Sequence, residues 1–226
     1  MRFSKNHGLP GTLICVEGID GSGKSTQLAI LRDWLISCEQ DVIFTEWNSS
    51  ALISQTTKKA KKKNLLSPRT FSLLHAVDFA DRLEQVIVPA LKAGFIVLAD
   101  RYVYTAFARD VSRGVDPQWV RSMYGFAIKP DLAVYFKVPV EVSLERICSN
   151  RQPSFYEAGM DLKLNTDPYV SYKIFQSRVI KEYDKMQEEY HLSTIDATDS
   201  IHDQQVEFRA IVKEILATKG INIDGY

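Results

Sequence analysis

Short apolar stretches alternate with longer amphipathic stretches along most of the chain. The short stretches are apolar at nearly every position, which indicates strands that are buried on both faces. The predicted strands span residues 13–16, 41–45, 95–99, 132–138 and 192–195. The predicted helices span residues 27–37, 69–92, 117–127, 140–149, 168–189 and 201–217. This alternation predicts an α/β fold of three layers, α/β/α, with a five-stranded parallel sheet in the middle.

A glycine-rich segment joins the first predicted strand to the first predicted helix. Residues 18–25 read Gly-Ile-Asp-Gly-Ser-Gly-Lys-Ser. This is the spacing of a phosphate-binding P-loop, in which backbone N–H groups, a lysine and the helix N-terminus hold phosphates and the serine hydroxyl binds Mg²⁺. A glycine-rich turn with a chance lysine is the alternative, and the strand–loop–helix order argues against it. The predicted ATP-binding residues are Gly18, Asp20, Gly21, Ser22, Gly23, Lys24, Ser25, Thr26 and, further along the chain, Arg146.

A second apolar strand ends in an acidic residue. Residues 95–99 are followed by Asp100 and Arg101, the form of a Walker B element that delivers a carboxylate to the metal of a P-loop NTPase. The guanidinium group that follows suits a phosphate. Taken alone, the pair is more typical of a surface ion pair, but the P-loop upstream favours the functional interpretation. Ser25 and Asp100 are therefore the predicted metal ligands.

Three further segments leave alternatives open. The lysine run at residues 58–63 could attract a polyanion, although a solvated helix face is favoured. Residues 150–167 break the helical periodicity and predict a lid that excludes water from phosphoryl transfer, with an ordinary surface loop as the alternative. On the helix that begins at residue 69, Arg82 could face a substrate phosphate, whereas His75 is expected to be a satisfied structural histidine.

Composition narrows the possible partners. The 226 residues include 28 Lys and Arg and 28 Asp and Glu, so no general attraction to nucleic acid is expected. Cys15, Cys38 and Cys148 form no metal or redox pattern and fit a reducing compartment. Residues 1–8 lack the apolar core of a signal peptide, and no apolar run approaches membrane-spanning length. We expect a cytoplasmic protein that acts on small molecules, with no membrane and no nucleic acid as partner.

Several segments, in this order and spacing, resemble one known family. They are residues 16–26, 79–85, 88–91, 100–102 with Thr105, 129–132, 145–146 and 155–157. In these segments the chain resembles thymidylate kinases, which are P-loop nucleoside monophosphate kinases. The resemblance implies one P-loop kinase domain over residues 1–226, with a lid at about 150–167. It also implies that a homodimer uses ATP and Mg²⁺ to phosphorylate a nucleoside monophosphate, dTMP to dTDP.

The resemblance also implies roles for individual residues. Some family members carry an arginine inside the P-loop where this chain has Gly21. A charge-stabilising arginine would then come from the lid, and Arg151 is the candidate. The implied catalytic residues are Lys24, Asp100, Arg101 and Arg151. The implied acceptor-binding residues are Asp20, Asp78, Arg82, Arg101, Arg109, Asp110 and Tyr156.

The chain departs from the family pattern around the acceptor. Residues 45–50 lack the loop arginine of the family, Asp78 stands where the family often has a phenylalanine that stacks on the base, and Arg109 and Asp110 replace a Tyr-Gln pair. Candidates for a replacement ring are Phe71, Phe79 and Trp47. Either the acceptor has changed or nearby residues compensate and dTMP is retained. A kinase of the same fold with another nucleotide or small phosphorylated acceptor, or a nucleotide-binding protein without kinase activity, are the alternatives.

Overall fold

A five-stranded parallel sheet forms the centre of the computed structural model, which describes residues 6–64 and 66–223. The sheet order is β2-β3-β1-β4-β5. All five predicted strands are confirmed, and their ends differ from the predicted ends by one residue at most. The predicted single domain also includes residues 1–5, 65 and 224–226, which lie outside the described residues. The strands are β1 (Thr12–Glu17), β2 (Val42–Glu46), β3 (Ile96–Asp100), β4 (Leu132–Lys137) and β5 (Ser193–Asp196).

Helices cover both faces of this sheet. Every residue of β1 and of β3 is buried, and since successive strand residues point to opposite faces, neither face is open to solvent. This burial confirms the predicted three-layer α/β/α arrangement. The helices are α1 (Lys24–Ser37), α2 (Ser54–Lys62), α3 (Pro68–Arg82), α4 (Val88–Lys92), α5 (Val103–Ser112), α6 (Pro117–Met123), α7 (Val140–Cys148), α8 (Pro168–Tyr190) and α9 (Ile201–Thr218).

Three helical regions differ from the sequence prediction. The long helix predicted over 69–92 is divided by a π-helical turn at Leu83–Ile87. The helix predicted over 117–127 ends at Met123, where a turn that includes Gly125 follows. Helix α5 was not predicted at all, and most of its residues are buried, including the polar Asp110 and Ser112.

The strand register brings the functional loops to one edge. Val16 of β1 pairs with Asp100 of β3, and Glu46 of β2 pairs with the same residue. The carboxyl ends of these parallel strands therefore lie side by side, which is where ligands of open α/β sheets bind. Among the described residues, no helix is long and apolar enough to cross a membrane.

Candidate active site

The P-loop between β1 and α1 has a backbone that only glycine can adopt at two positions. Gly18 has φ 146° and Gly21 has φ 78°. A Cβ atom at Gly18 would lie 2.7 Å from the carbonyl oxygen of Phe136, and one at Gly21 would lie 2.5 Å from that of Ser143. In this backbone conformation position 21 has no room for a side chain, so an arginine there would require the loop or α7 to shift.

Lys24 begins α1 directly beneath this loop and is buried. Burial lowers the pKa of its ammonium group to about 8, and the nearby Arg101 adds to this effect, whereas Asp100 and Asp20 oppose it. A buried cation with a depressed pKa gains stability when an anion binds beside it. The loop is therefore suited to phosphate.

Ser25 and Asp100 lie in contact at the mouth of the loop. The Ser25 hydroxyl donates a hydrogen bond to Asp100 Oδ2. Among the described residues, no group of three or more His, Cys, Asp or Glu side chains could hold a metal ion. A hydroxyl beside one carboxylate nevertheless fits Mg²⁺, which usually takes one or two protein oxygens and completes its shell with phosphates and water.

Asp20 of the P-loop is held between two arginines. Arg101 Nη2 donates to Asp20 Oδ1 at 2.6 Å, and Arg109 Nη2 donates to Oδ2 at 2.6 Å. Burial alone would raise the pKa of Asp20, but Arg109, Arg101 and Lys24 outweigh it and hold the pKa well below its usual range. This carboxylate therefore stays ionised and keeps both guanidinium groups in place.

Glu17 lies under this cluster and was not singled out from the sequence. Its buried carboxylate accepts hydrogen bonds from the Tyr102 backbone N–H at 2.7 Å, the Thr105 hydroxyl at 2.9 Å and the Tyr183 hydroxyl at 2.8 Å. Burial raises the pKa of Glu17, although Arg101 and these donors act in the opposite direction. The sequence signal that could have identified Glu17 was an acidic residue at the end of an apolar strand. Glu17 fixes the segment that carries Arg101.

A cavity of about 530 Å³ opens beside Asp20 and its two arginines. This volume is in the range of small-molecule sites. Its walls come from the P-loop, the loop after β2, α2, α3, α5 and the predicted lid. The lining residues are Asp20, Trp47, Asn48, Lys61, Lys62, Asn64, Phe71, His75, Arg101, Arg109, Ser154, Phe155, Tyr156 and Glu157.

The predicted acceptor-binding residues divide into two groups. Asp20, Arg101, Arg109 and Tyr156 line this cavity, whereas Asp78, Arg82 and Asp110 do not. The distinction could not be read from spacing along α3 and α5, because it depends on the direction in which each helix presents its side chains.

Asp78 and Asp110 bind the protein's own groups. The Asp78 carboxylate accepts hydrogen bonds from the backbone N–H groups of Asn48, at 3.0 Å to Oδ2, and Ser50, at 2.9 Å to Oδ1. Asp78 therefore shapes the loop after β2. Asp110 is fully buried and accepts a hydrogen bond from the Ser72 hydroxyl. Burial raises the pKa of Asp110 to about 6, against the opposing effect of Ser72 and two arginines.

Arg82 is buried below the loop after β2. Its Nε donates to the Thr45 hydroxyl at 3.0 Å, and its guanidinium carbon lies 5.8 Å from the centre of the Trp47 ring. Nη1 and Nη2 have no hydrogen-bond partner among the described residues, and the Asp78 carboxylate lies 3.8 Å from Nη1. Arg82 therefore retains donor capacity close to the ends of β2 and β3.

The predicted lid folds onto the cavity through an anchor that the sequence analysis missed. Arg113 follows α5, and its side chain donates to Asp161 at 3.0 Å and to the Tyr156 carbonyl at 2.7 Å. Gln176 of α8 also donates to the Glu157 carbonyl at 2.8 Å. The candidate lid cation, Arg151, is bound by Glu157 at 2.6 and 2.8 Å and is 51% exposed.

Arg146 lies beside the P-loop. Its guanidinium group donates to the Ala197 carbonyl at 2.9 Å. A Cβ atom built at Gly23 would lie 3.9 Å from Arg146 Nη1. Arg146 therefore connects α7 and the loop after β5 with the P-loop. Thr26 is exposed in the first turn of α1.

Aromatic rings line part of the cavity wall. The ring centres of Phe71 and His75 are 4.2 Å apart, those of Trp47 and His75 are 5.6 Å apart, and those of Phe71 and Tyr156 are 5.0 Å apart. His75 Nε2 has no hydrogen-bond partner among the described residues. The expectation of a satisfied structural histidine was therefore wrong, because a single sequence does not reveal which groups surround a helix residue.

Comparisons with known proteins agree with this geometry. A family model described as thymidylate kinase matches residues 16–207. "Probable thymidylate kinase 2" of Saccharolobus solfataricus is 49% identical over 208 residues, which cover 91% of this chain and 97% of the relative. "Probable thymidylate kinase" of Thermococcus gammatolerans is 30% identical over 214 residues, 90% of this chain and 97% of the relative. The chain belongs to the thymidylate kinase family.

Proposed function

We propose that the protein transfers the γ-phosphoryl group of ATP to dTMP and forms ADP and dTDP. One observation carries this proposal beyond family membership. Asp20 belongs to the P-loop, yet its carboxylate is bound by Arg101 and Arg109, which line the neighbouring cavity. The phosphate cradle and the cavity therefore share a wall, as a direct transfer between two bound nucleotides requires.

On the donor side, Lys24 and the N–H groups of the P-loop would hold the phosphates of ATP. The N-terminus of α1 adds partial positive charge to the same place. Ser25 and Asp100 would hold Mg²⁺, which neutralises phosphate charge when it is bound. Arg146 would lie beside the nucleotide near the loop after β5.

On the acceptor side, Arg101 and Arg109 would hold the monophosphate. Both guanidinium groups are already oriented by Asp20, so little side-chain freedom is lost when the phosphate binds. Arg82 would add its unused donors from below, because its Nη groups lie near the strand ends. Asp20 is a positioning residue in this scheme, since phosphoryl transfer depends mainly on orientation and charge stabilisation.

The lid would complete the site. Tyr156 stacks on Phe71 at the cavity wall, and Arg151 would leave Glu157 to contact the transferring phosphoryl group. Closure of the lid would exclude water and direct the transfer to the acceptor.

The departures from the family pattern are compatible with dTMP as the acceptor. Asp78 and Asp110, two of the unusual residues, bind the protein's own backbone or hydroxyl groups and do not line the cavity. Arg109, Trp47 and Asn48 are the changed side chains that line the cavity. Because Arg101 and Arg109 still offer two cations beside Asp20 for the acceptor phosphate, we favour compensation nearby over a change of substrate.

ADP formation measured with each of dTMP, dUMP, dCMP, dGMP and a non-nucleotide acceptor tests the proposal. We expect turnover to depend on the acceptor and to be most efficient with dTMP. Lys24→Ala should remain folded and lose about 100- to 1000-fold in kcat. ADP formation that no acceptor accelerates would contradict a kinase, and preference for another acceptor would contradict dTMP.

We also propose a homodimer. On α3, Leu73 and Val77 lie one helical turn apart and are 47% and 43% exposed, so they form an apolar patch that a second copy of the chain would cover. The cytoplasmic location and the absence of a nucleic-acid partner stay predictions from the sequence.

A further inference from the structure

The lysine run at residues 58–63 has no part in the proposed function so far. It lies on α2 and its C-terminal end. Lys58, Lys59 and Lys63 are exposed, as expected of a solvated helix face. Lys61, however, is partly buried and lines the cavity beside Asp20 and its arginines. Lys62 also lines the cavity but is exposed, so Lys61 is the lysine of the run that is partly buried at the proposed acceptor site.

The Lys61 ammonium faces the aromatic end of the cavity. Its Nζ lies 5.0 Å from the centre of the Phe71 ring. Beyond this ring contact, Lys61 Nζ has neither a hydrogen bond nor an ion pair with a described residue. Burial lowers the pKa of Lys61 to about 8, and Arg109 and Arg113 contribute, whereas Asp20 and Asp78 oppose the shift. Lys61 therefore offers unused hydrogen-bond donors inside a cavity.

Two neighbouring groups are also unused. Trp47 Nε1 and His75 Nε2 are buried and have no hydrogen-bond partner among the described residues. Both side chains line the cavity, and His75 is only 4% exposed. Buried polar atoms are usually paired, so these two atoms indicate a ligand. They lie next to Phe71, whose ring would pack against a flat ligand.

The chemistry of these groups selects the kind of ring that fits. The Trp47 indole N–H and the Lys61 ammonium can only donate, whereas a neutral imidazole nitrogen can donate or accept. A pyrimidine with two carbonyl oxygens offers the acceptors that two fixed donors need. Cytosine replaces one of those oxygens by an amino group, which would face donors. A buried mismatch of this kind discriminates strongly between substrates.

We propose that Lys61 is a specificity-determining residue that donates a hydrogen bond to a carbonyl oxygen of the acceptor base. This inference rests on the proposed function, since the base belongs to the nucleotide that is phosphorylated. Arg101 and Arg109 hold the phosphate, and Lys61, beside the Phe71 ring, reads the base. Helix α2 is thereby a wall of the acceptor site rather than only a charged surface.

Two substitutions and a matched control test this role. Lys61→Met removes the donor, Lys61→Glu replaces it by an acceptor, and Lys59→Met changes an exposed lysine of the same helix that does not line the cavity. Steady-state kinetics are measured with dTMP, dUMP and dCMP at saturating ATP, and circular dichroism checks folding. Calorimetry with dTMP gives the dissociation constant as a second readout.

We expect Lys61→Met to raise KM and the dissociation constant for dTMP at least about tenfold, because a hydrogen bond from a charged donor is lost. Its KM for ATP should stay within about twofold of the wild-type value. In Lys61→Glu, the preference for dTMP over dCMP should fall by about 100-fold, since glutamate accepts from the cytosine amino group. Lys59→Met should match the wild type.

An unchanged preference for dTMP over dCMP in both Lys61 variants would overturn the inference. An equal rise in KM for all three nucleotides would also overturn it, because that result indicates a general electrostatic effect and no reading of the base. The proposed function fails separately, if the wild-type protein neither binds nor phosphorylates any of the three nucleotides.

Discussion

Asp20 joins the two halves of the site because its backbone belongs to the P-loop while its carboxylate is bound by Arg101 and Arg109. Arg101 adopts a left-handed backbone conformation, φ 73°, which is unusual for a residue other than glycine. Its guanidinium group also donates to the Gly18 carbonyl at 3.0 Å and the Thr105 hydroxyl at 2.9 Å. These contacts hold the strained residue in one orientation before any nucleotide binds.

Gly21→Ala should reduce kcat/KM for ATP by about 100-fold, because the new Cβ atom pushes the phosphate-binding loop away from α7. Gly94→Ala is the matched control. Gly94 has a similar φ of 90°, but nothing described lies within 4 Å of its Cβ position. Both variants should lose about 1 to 2 kcal/mol of stability through backbone strain. Kinetics and thermal unfolding of both proteins separate the two effects, and equal kcat/KM values would refute the close approach.

Asp110→Asn should change how stability depends on pH. The pKa of Asp110 is about 6 in the folded protein, above the ordinary aspartate value, so the folded state binds the proton more tightly. Stability from this group is therefore present at low pH and is lost as pH rises through 6. One pKa unit corresponds to about 1.4 kcal/mol, and part of the effect is already lost at pH 4, so the wild type should lose about 2 kcal/mol relative to Asp110→Asn between pH 4 and 7.

Urea unfolding of both proteins at each pH measures this difference. Ser72→Ala provides a second comparison, because Ser72 donates a hydrogen bond to the Asp110 carboxylate. Its removal should raise the pKa of Asp110 further and move the loss of stability to higher pH. If the two proteins differ by the same free energy of unfolding at every pH, the raised pKa of Asp110 is contradicted.

Among the elements, α2, α5 and the predicted lid line the cavity beside Asp20, and their places in the fold were the hardest to predict. The lysine run correctly indicated a helix face, but only the packing of α2 against Phe71 directs Lys61 inward. Helix α5 is nearly all buried, and the burial of its polar Thr105, Asp110 and Ser112 could not be expected from their residue types. Residues 150–167 lack periodicity, and the contacts that place them, from Arg113 and Gln176, come from distant parts of the chain.

Arg113→Met should loosen the lid. The substitution removes the hydrogen bonds to Asp161 and the Tyr156 carbonyl and the contacts of the guanidinium group with the rings of Phe71, at 4.8 Å, and Phe175, at 4.4 Å. It also leaves Asp161 without its arginine, which costs about 3 kcal/mol for a buried pair. We expect faster hydrogen exchange in residues 154–162, a several-fold higher KM for dTMP and more ATP hydrolysis without acceptor.

Arg121→Met is the control for this prediction. Arg121 forms comparable contacts, with Glu189 at 2.8 Å and over the Phe107 ring at 5.3 Å, but it does not line the cavity. The control should be destabilised without a change in lid exchange or in KM for dTMP. Similar exchange in both variants would refute Arg113 as the anchor of the lid.

At the scale of the whole molecule, the exposed apolar patch on α3 leads to a prediction about the homodimer. Leu73→Asp combined with Val77→Asp should convert a dimer into a monomer, because two carboxylates on the apolar patch oppose its burial against a second copy. Light scattering after size exclusion measures the mass. Val206→Asp, at a residue of α9 that is 58% exposed, should leave the mass unchanged. A wild-type protein of monomer mass would contradict the homodimer.

The sequence by itself determined the strands, the P-loop and the family, because these depend on local spacing and on apolar runs that any three-layer sheet must bury. Tertiary structure decided which polar residues face the cavity. Asp78 and Asp110 turn to the protein's own groups, whereas His75 and Lys61 turn to the cavity. These choices arise where α2, α3, α5 and the lid meet, and contacts between residues far apart in sequence leave no periodic signal in one chain.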